Sequence, residues 1–85
     1  MEVIIEKKAA KEIVKLPKQI IILFRLFLTD LQRDGLELQG WELGKMKGQD
    51  NTFRAKLNYR YRVIVELRSP DLVIIKVSSR EGAYK

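Results

Sequence analysis

Thr52-Phe53-Arg54-Ala55-Lys56-Leu57-Asn58 and, two residues later, Tyr61-Arg62-Val63-Ile64-Val65-Glu66-Leu67 are the stretch that decides the fold. In the first run Phe53, Ala55 and Leu57 alternate with Arg54, Lys56 and Asn58. In the second, Tyr61, Val63, Val65 and Leu67 alternate with Arg62, Ile64 and Glu66. A period of two puts successive side chains on opposite faces of a strand. Asn58-Tyr59-Arg60 suits a tight turn, so the two runs are expected to form a hairpin. Ser69-Pro70-Asp71 reads as a second turn. Leu72 to Ser79 then reads as a third strand of the meander, with Val73, Ile75 and Val77 assigned to one face.

Upstream the period changes. Val3-Ile4-Ile5 is a β-branched run and reads as a short strand. Lys7 to Leu16 carries Ala9, Ala10, Ile13, Val14 and Leu16 at the spacing of an amphipathic helix, and Pro17 stops it or opens the next one. Lys18 to Arg33 is expected as a second helix, with Ile20, Leu23, Phe24, Phe27, Leu28 and Leu31 on one stripe. Ile21, Ile22 and Leu26 fall outside that stripe. They imply either packing on a second side or an exposed patch for a partner protein. Gly35 is placed to cap the helix. Leu36 to Asn51 is irregular, with Trp41 expected against the sheet, and Arg80 to Lys85 reads as a polar tail. The order β-α-α-β-β-β describes an α+β fold in one domain over 1–85, a helical pair on one face of a small antiparallel sheet.

Composition narrows the chemistry. The 85 residues hold 17 Lys and Arg against 11 Asp and Glu, a net charge of +6. That balance favours a polyanionic partner: RNA, DNA, an acidic protein or a membrane surface. With no Cys and no His in the sequence, disulfides, Cys redox chemistry and an imidazole base are excluded. The apolar run Ile20 to Leu28 is much shorter than the roughly 20 residues of a membrane span. The acidic start, Met1 to Glu6, lacks a signal-peptide layout. A cytoplasmic protein without a membrane partner is the expectation.

Strand parity then locates the charge. If Phe53, Ala55, Leu57, Tyr61, Val63, Val65, Val73, Ile75 and Val77 face the helices, the opposite face carries Arg54, Lys56, Arg62, Lys76, Ser78 and Arg80, with Glu66 the clearest anion. Cations on the solvated face of a sheet are ordinary. Here they are dense and sparsely countered, and like charges packed together destabilise a small domain. A bound polyanion would neutralise them. Arginine suits that role, because its planar fork grips two phosphate oxygens at once. Trp41 and Tyr84 offer stacking surfaces for unpaired bases. Tyr59, at a turn, and Tyr61, expected in the core, are weaker candidates. Gly40, Gly44 and Gly48 do not form a phosphate loop opening a helix, and Ser78 and Ser79 have no base beside them.

Four segments in order, Leu43-Gly44-Lys45-Met46-Lys47-Gly48, Phe53-Arg54-Ala55-Lys56-Leu57, Tyr61-Arg62-Val63-Ile64-Val65 and Ile75-Lys76-Val77-Ser78-Ser79-Arg80, resemble the RelE/ParE superfamily of bacterial toxins. The resemblance implies the toxin of a type II toxin–antitoxin pair. Its RelE-like members act on the ribosome and cut mRNA by attack of a ribose 2′-OH on the adjacent phosphate, without cofactor or metal. Carried onto this sequence, it implies Lys56, Arg62, Arg80 and Tyr84 as catalytic residues and Arg54, Lys45, Lys47 and Lys76 as RNA-binding ones. The implied partners are a cognate antitoxin, the ribosome and mRNA. Ser79 stands where many members carry His. That departure moves the expected base to Lys56, whose amine the neighbouring arginines would make easier to deprotonate, with Glu42 a more distant candidate. A ParE-like inhibitor of DNA gyrase and a non-catalytic RNA-binding or degenerate toxin are the alternative readings.

Overall fold

The computed structural model describes residues 2–83. The six predicted elements form in the predicted order, and a 3-10 turn, a two-residue strand and a terminal helical turn, none of them expected, join them: β1 (Val3–Ile5), α1 (Lys7–Ile13), α2 (Lys18–Asp34), the 3-10 turn (Gly35–Glu37), β2 (Gly44–Lys45), β3 (Thr52–Lys56), β4 (Tyr61–Arg68), β5 (Asp71–Ser79) and α3 (Arg80–Ala83). Together they make an α+β layer, two helices against one sheet. Pro17 stands immediately before α2, where its missing N–H costs nothing. Gly35 ends the helix at φ 62, with its N–H bonded to the Leu31 carbonyl, a left-handed position that glycine takes without steric cost.

The sheet has five strands in the order β1-β5-β4-β3-β2. The meander β3-β4-β5 is antiparallel as expected, but β1 joins its edge in parallel, pairing Val3, Ile4 and Ile5 with Leu72, Val73 and Ile74. The sheet is therefore mixed. The connection between this parallel pair is long, with α1, α2 and the strands β2 to β4 all lying between β1 and β5 in the chain. Beyond Ile74 the outer edge of β5 has no strand beside it. Glu12 on α1 closes the gap, its Oε1 accepting the Val77 N–H at 3.0 Å.

One face of the sheet is covered by Ile20, Phe24, Phe27 and Leu31 of α2 and by Ala9 of α1. They close on Ala55, Leu57, Val63, Val65, Leu72, Ile74 and Val77. β3 and β4 follow the predicted alternation. β5 does not: Ile64 is opposite Lys76 while Val65 is opposite Ile74, so Ile75 is an extra residue, a β-bulge. Before the bulge the core residues are Leu72 and Ile74, and after it Val77. Val73 and Ile75, expected inside, lie on the other face. The inserted residue inverts parity upstream and leaves it as expected downstream, where Lys76 and Ser78 sit. The segment read as a polar tail begins with the helical turn α3.

The bulge makes a sharp stability prediction. Ile74→Ala, at a fully buried position, should cost about 2–5 kcal/mol in urea unfolding. Ile75→Ala should cost about 1 kcal/mol or less. Equal costs would contradict the inverted parity.

Candidate functional site

Across the face opposite the helices, where Thr52, Ile64 and Val73 are nonetheless buried, cross-strand register builds two rows. One runs Lys56–Arg62–Ser78 and the next Arg54–Ile64–Lys76. Neighbouring strands are about 4.8 Å apart, so Lys56 and Arg62 are adjacent, while Lys76 lies two strands from Arg54 with Ile64 between them. Arg54, Lys56 and Arg62 line one cavity of about 170 Å³, together with Ala55 and Glu42. The opposite end of the same face is differently charged. There Arg68 bonds to Glu66 through Nε and to Glu6 through Nη2 at 3.0 Å, which neutralises the carboxylates away from the cationic rows.

Glu42 reaches the cavity through a specific clamp. Trp41 donates its indole N–H to Asp30 Oδ2 at 2.8 Å and packs edge-on against Phe27, with ring centroids 5.4 Å apart at 78°. Both partners are on α2, so the loop is fastened to the helix. The Trp41 carbonyl in turn accepts the Lys56 N–H at 2.9 Å, which fastens the same loop to the end of β3. The next residue, Glu42, is held at φ 49, in the left-handed region that non-glycine residues rarely occupy. Its carboxylate meets the Lys56 ammonium at 3.4 Å while remaining 72% exposed. The ammonium is therefore faced by an anion as well as by arginines, unlike the all-cationic surroundings expected from strand parity. A strained backbone delivering an exposed carboxylate into a cationic cavity is the kind of conformation that clusters at functional sites.

Arg62 is fixed from the other side. Its Nη1 donates to the carbonyls of Asn58, Tyr59 and Tyr61 at 2.7, 3.0 and 3.2 Å. Nη1 is thus committed to the β3–β4 turn, and Nε–H and Nη2–H are the donors available to an anion. Tethering a long side chain in this way lowers the entropy that binding would otherwise cost.

The remaining expected residues are more dispersed. Arg80 opens α3 and lines a separate cavity with Tyr59, Arg60 and Glu81. Lys76 lines another, about 310 Å³, with Glu6, Lys8, Met46, Gln49, Thr52, Ile64 and Ile75. Lys45 sits on β2, 3.9 Å from Asp50, and Lys47 is exposed in the following turn. Tyr84 lies outside the described residues. Glu42, given only a distant place in the sequence reading, lines the cavity with the three cations. The available signal was its place directly after the single tryptophan, in the loop leading to the basic strand.

No family model matches the chain. A protein of Methanocaldococcus jannaschii named "Putative toxin RelE1" is 27% identical over 82 residues, covering 95% of this chain and 91% of that protein. A RelB–RelE antitoxin–toxin complex from Methanococcus jannaschii contains a chain that superposes with a TM-score of 0.83 at 22% identity, over 95% of this chain and 94% of its own. An archaeal RelE–RelB complex from Pyrococcus horikoshii gives a TM-score of 0.76 at 26% identity, over 93% of each chain. The RelBE2 complex of Mycobacterium tuberculosis gives 0.70, again at 26%, over 93% of this chain and 96% of that one. In sequence and in fold, the chain is similar to RelE-like toxins.

Proposed function

We propose that this protein is the toxin of a type II toxin–antitoxin pair and acts as a ribosome-dependent mRNA endonuclease. The observation that carries this reading is the cavity holding Arg54, Lys56, Arg62 and Glu42. It offers three cations to a phosphate and one carboxylate to a proton, within the space of a phosphodiester. In the proposed step a ribose 2′-oxygen attacks the adjacent phosphorus as its proton passes to a base. The bond to the 5′-oxygen breaks, and that oxygen leaves with a proton as the 5′-OH. A 2′,3′-cyclic phosphate remains on the upstream fragment.

Each residue has a role in this step that its position supports. Arg62, anchored through Nη1, directs its remaining donors to the phosphate and stabilises the extra negative charge of the pentacoordinate state. Arg54 and Lys56, two residues apart on β3, hold the non-bridging oxygens and the leaving group. Glu42 takes the proton. A carboxylate is already a base at neutral pH, whereas an ammonium has no lone pair until it loses a proton. Lys56 then serves as the acid near the leaving 5′-oxygen and as the cation that orients Glu42. A site built this way needs no imidazole.

The antitoxin reading rests on α1 and α2. Ile22 and Leu26, one turn apart on α2, are each 54% exposed, and Val14 after α1 is 76% exposed, so apolar side chains remain uncovered outside the cavity. Lys15, Lys18 and Arg25 flank them in sequence and are exposed. An amphipathic helix with an acidic border fits such a surface. Ile21, expected beside Ile22, is half-buried and contributes less.

Three outcomes test these assignments. Arg62→Ala should abolish growth inhibition on induced expression while the thermal transition persists. Full toxicity would remove the cavity from the mechanism, and intact messages with blocked supercoiling would replace the ribosome with gyrase as target. Glu42→Gln should slow cleavage of ribosome-bound mRNA by about 10²–10⁴-fold with ribosome binding retained. Wild-type cleavage by that variant would return the base to Lys56. Leu26→Asp should leave cleavage intact and weaken neutralisation by the antitoxin, so a variant still fully neutralised would move the dock elsewhere.

A further inference from the structure

The β3–β4 turn carries a feature that the catalytic cavity does not use. Tyr59 is 74% exposed at its tip, the most exposed aromatic side chain among the described residues. Leaving a ring in water forgoes the burial that usually places aromatics inside. The exposure is not that of a loose loop. Asn58 Oδ1 accepts the N–H groups of Arg60 at 2.9 Å and Tyr61 at 2.8 Å, closing an Asx turn. Arg62 Nη1 bonds to the carbonyls on either side of the tip, and the Arg60 carbonyl accepts the Arg80 N–H at 2.6 Å. The ring is therefore presented on a backbone fixed from three directions.

Beside it lies a cavity of about 220 Å³ lined by Tyr59, Arg60, Arg80 and Glu81. A ring with two guanidiniums is the pairing that single-stranded nucleic acid requires: a face for a base and planar donors for the phosphate next to it. Arg62 joins this cavity to the catalytic one, since its guanidinium lines the first and bonds the turn that forms the second.

We propose that the β3–β4 turn is a second nucleotide subsite, in which Tyr59 stacks on a base of single-stranded RNA while Arg60 and Arg80 hold the neighbouring phosphate. This deepens the endonuclease reading and rests on it for the identity of the strand as mRNA. It gives Arg80 a substrate-holding role apart from the cavity where the bond breaks. Glu81 lines the same cavity. Its carboxyl is held below the usual carboxylate range, chiefly by a hydrogen bond to its own backbone N–H, then by the Ser79 hydroxyl and the guanidiniums of Arg60 and Arg80. An entering phosphate competes with that carboxylate for the two arginines.

The test uses the full chain and a short single-stranded RNA, 2′-O-methylated to prevent cleavage and carrying 2-aminopurine. Tyr59→Ala should lower affinity about tenfold and remove the stacking quench of the fluorescent base, while Tyr59→Phe keeps both. Arg60→Ala should weaken binding and reduce the salt slope by about one. Glu81→Gln should tighten binding, because it removes the competing charge. Unchanged binding and quench in Tyr59→Ala, or weaker binding in Glu81→Gln, would overturn the subsite. mRNA cleavage on ribosomes is measured separately. Stacking through Tyr59 without any cleavage would uphold the subsite and overturn the endonuclease, and cleavage with an indifferent Tyr59 would do the reverse.

Discussion

The candidate site depends on the clamp at Trp41. One residue joins its loop to two elements: its indole N–H to Asp30 and its ring to Phe27, both on α2, and its carbonyl to the Lys56 N–H at the end of β3. The segment between α2 and β3 holds only a 3-10 turn and the two-residue strand β2, and without such a fastening Glu42 would not keep its left-handed backbone. With it, the carboxylate stands 3.4 Å from Lys56. A domain of this size has little stability to spare. It concentrates what it has, because the contact that buries the tryptophan against the core helix also sets the proposed base against the cationic strand.

The second constraint is the one-sided sheet. α2 can cover only one face, so the other is left to whatever the strands project there. In β3 and β4 the alternation is unbroken and the turn between them is short, and these strands match their sequence pattern. β5 departs from it because a bulge has no signature in Leu72-Val73-Ile74-Ile75-Lys76-Val77, where every residue but Lys76 is apolar and either parity reads equally well. The parallel docking of β1 was equally hidden. Val3-Ile4-Ile5 states that a strand exists, whereas its parallel direction comes from a partner, β5, at the far end of the chain. Local patterns define strands, and long-range closure defines the sheet.

The same division applies to the site. Arg54, Lys56 and Arg62 were legible because they are regular: parity and a tight hairpin are enough to bring them together. The positions of Glu42 and Arg80 were less legible, because both lie where regular structure ends. Glu42 is aimed by a backbone angle that no residue pattern announces, and Arg80 by the onset of α3, which turns it out of the strand's parity and toward Arg60. Tyr59 was undervalued for a related reason. A turn tyrosine means little until the turn is seen to be locked by Asn58 and Arg62 and bordered by two guanidiniums.

The absence of histidine is then less of a handicap than the composition suggests. Histidine is useful at an RNA-cleaving centre because one group can both take and give a proton near neutral pH. In the proposed step Glu42 and Lys56 divide those duties between two groups. What the division demands is geometry, since two side chains on different elements must be held at contact distance. The Trp41 clamp meets that demand for Glu42, and the β3–β4 register meets it for Lys56 against Arg62. Arg62, held by the turn, makes the alignment of the phosphate depend on the segment that presents Tyr59. On this reading the strand would be gripped on both sides of the reacting centre, and cleavage would await an RNA that fills both cavities.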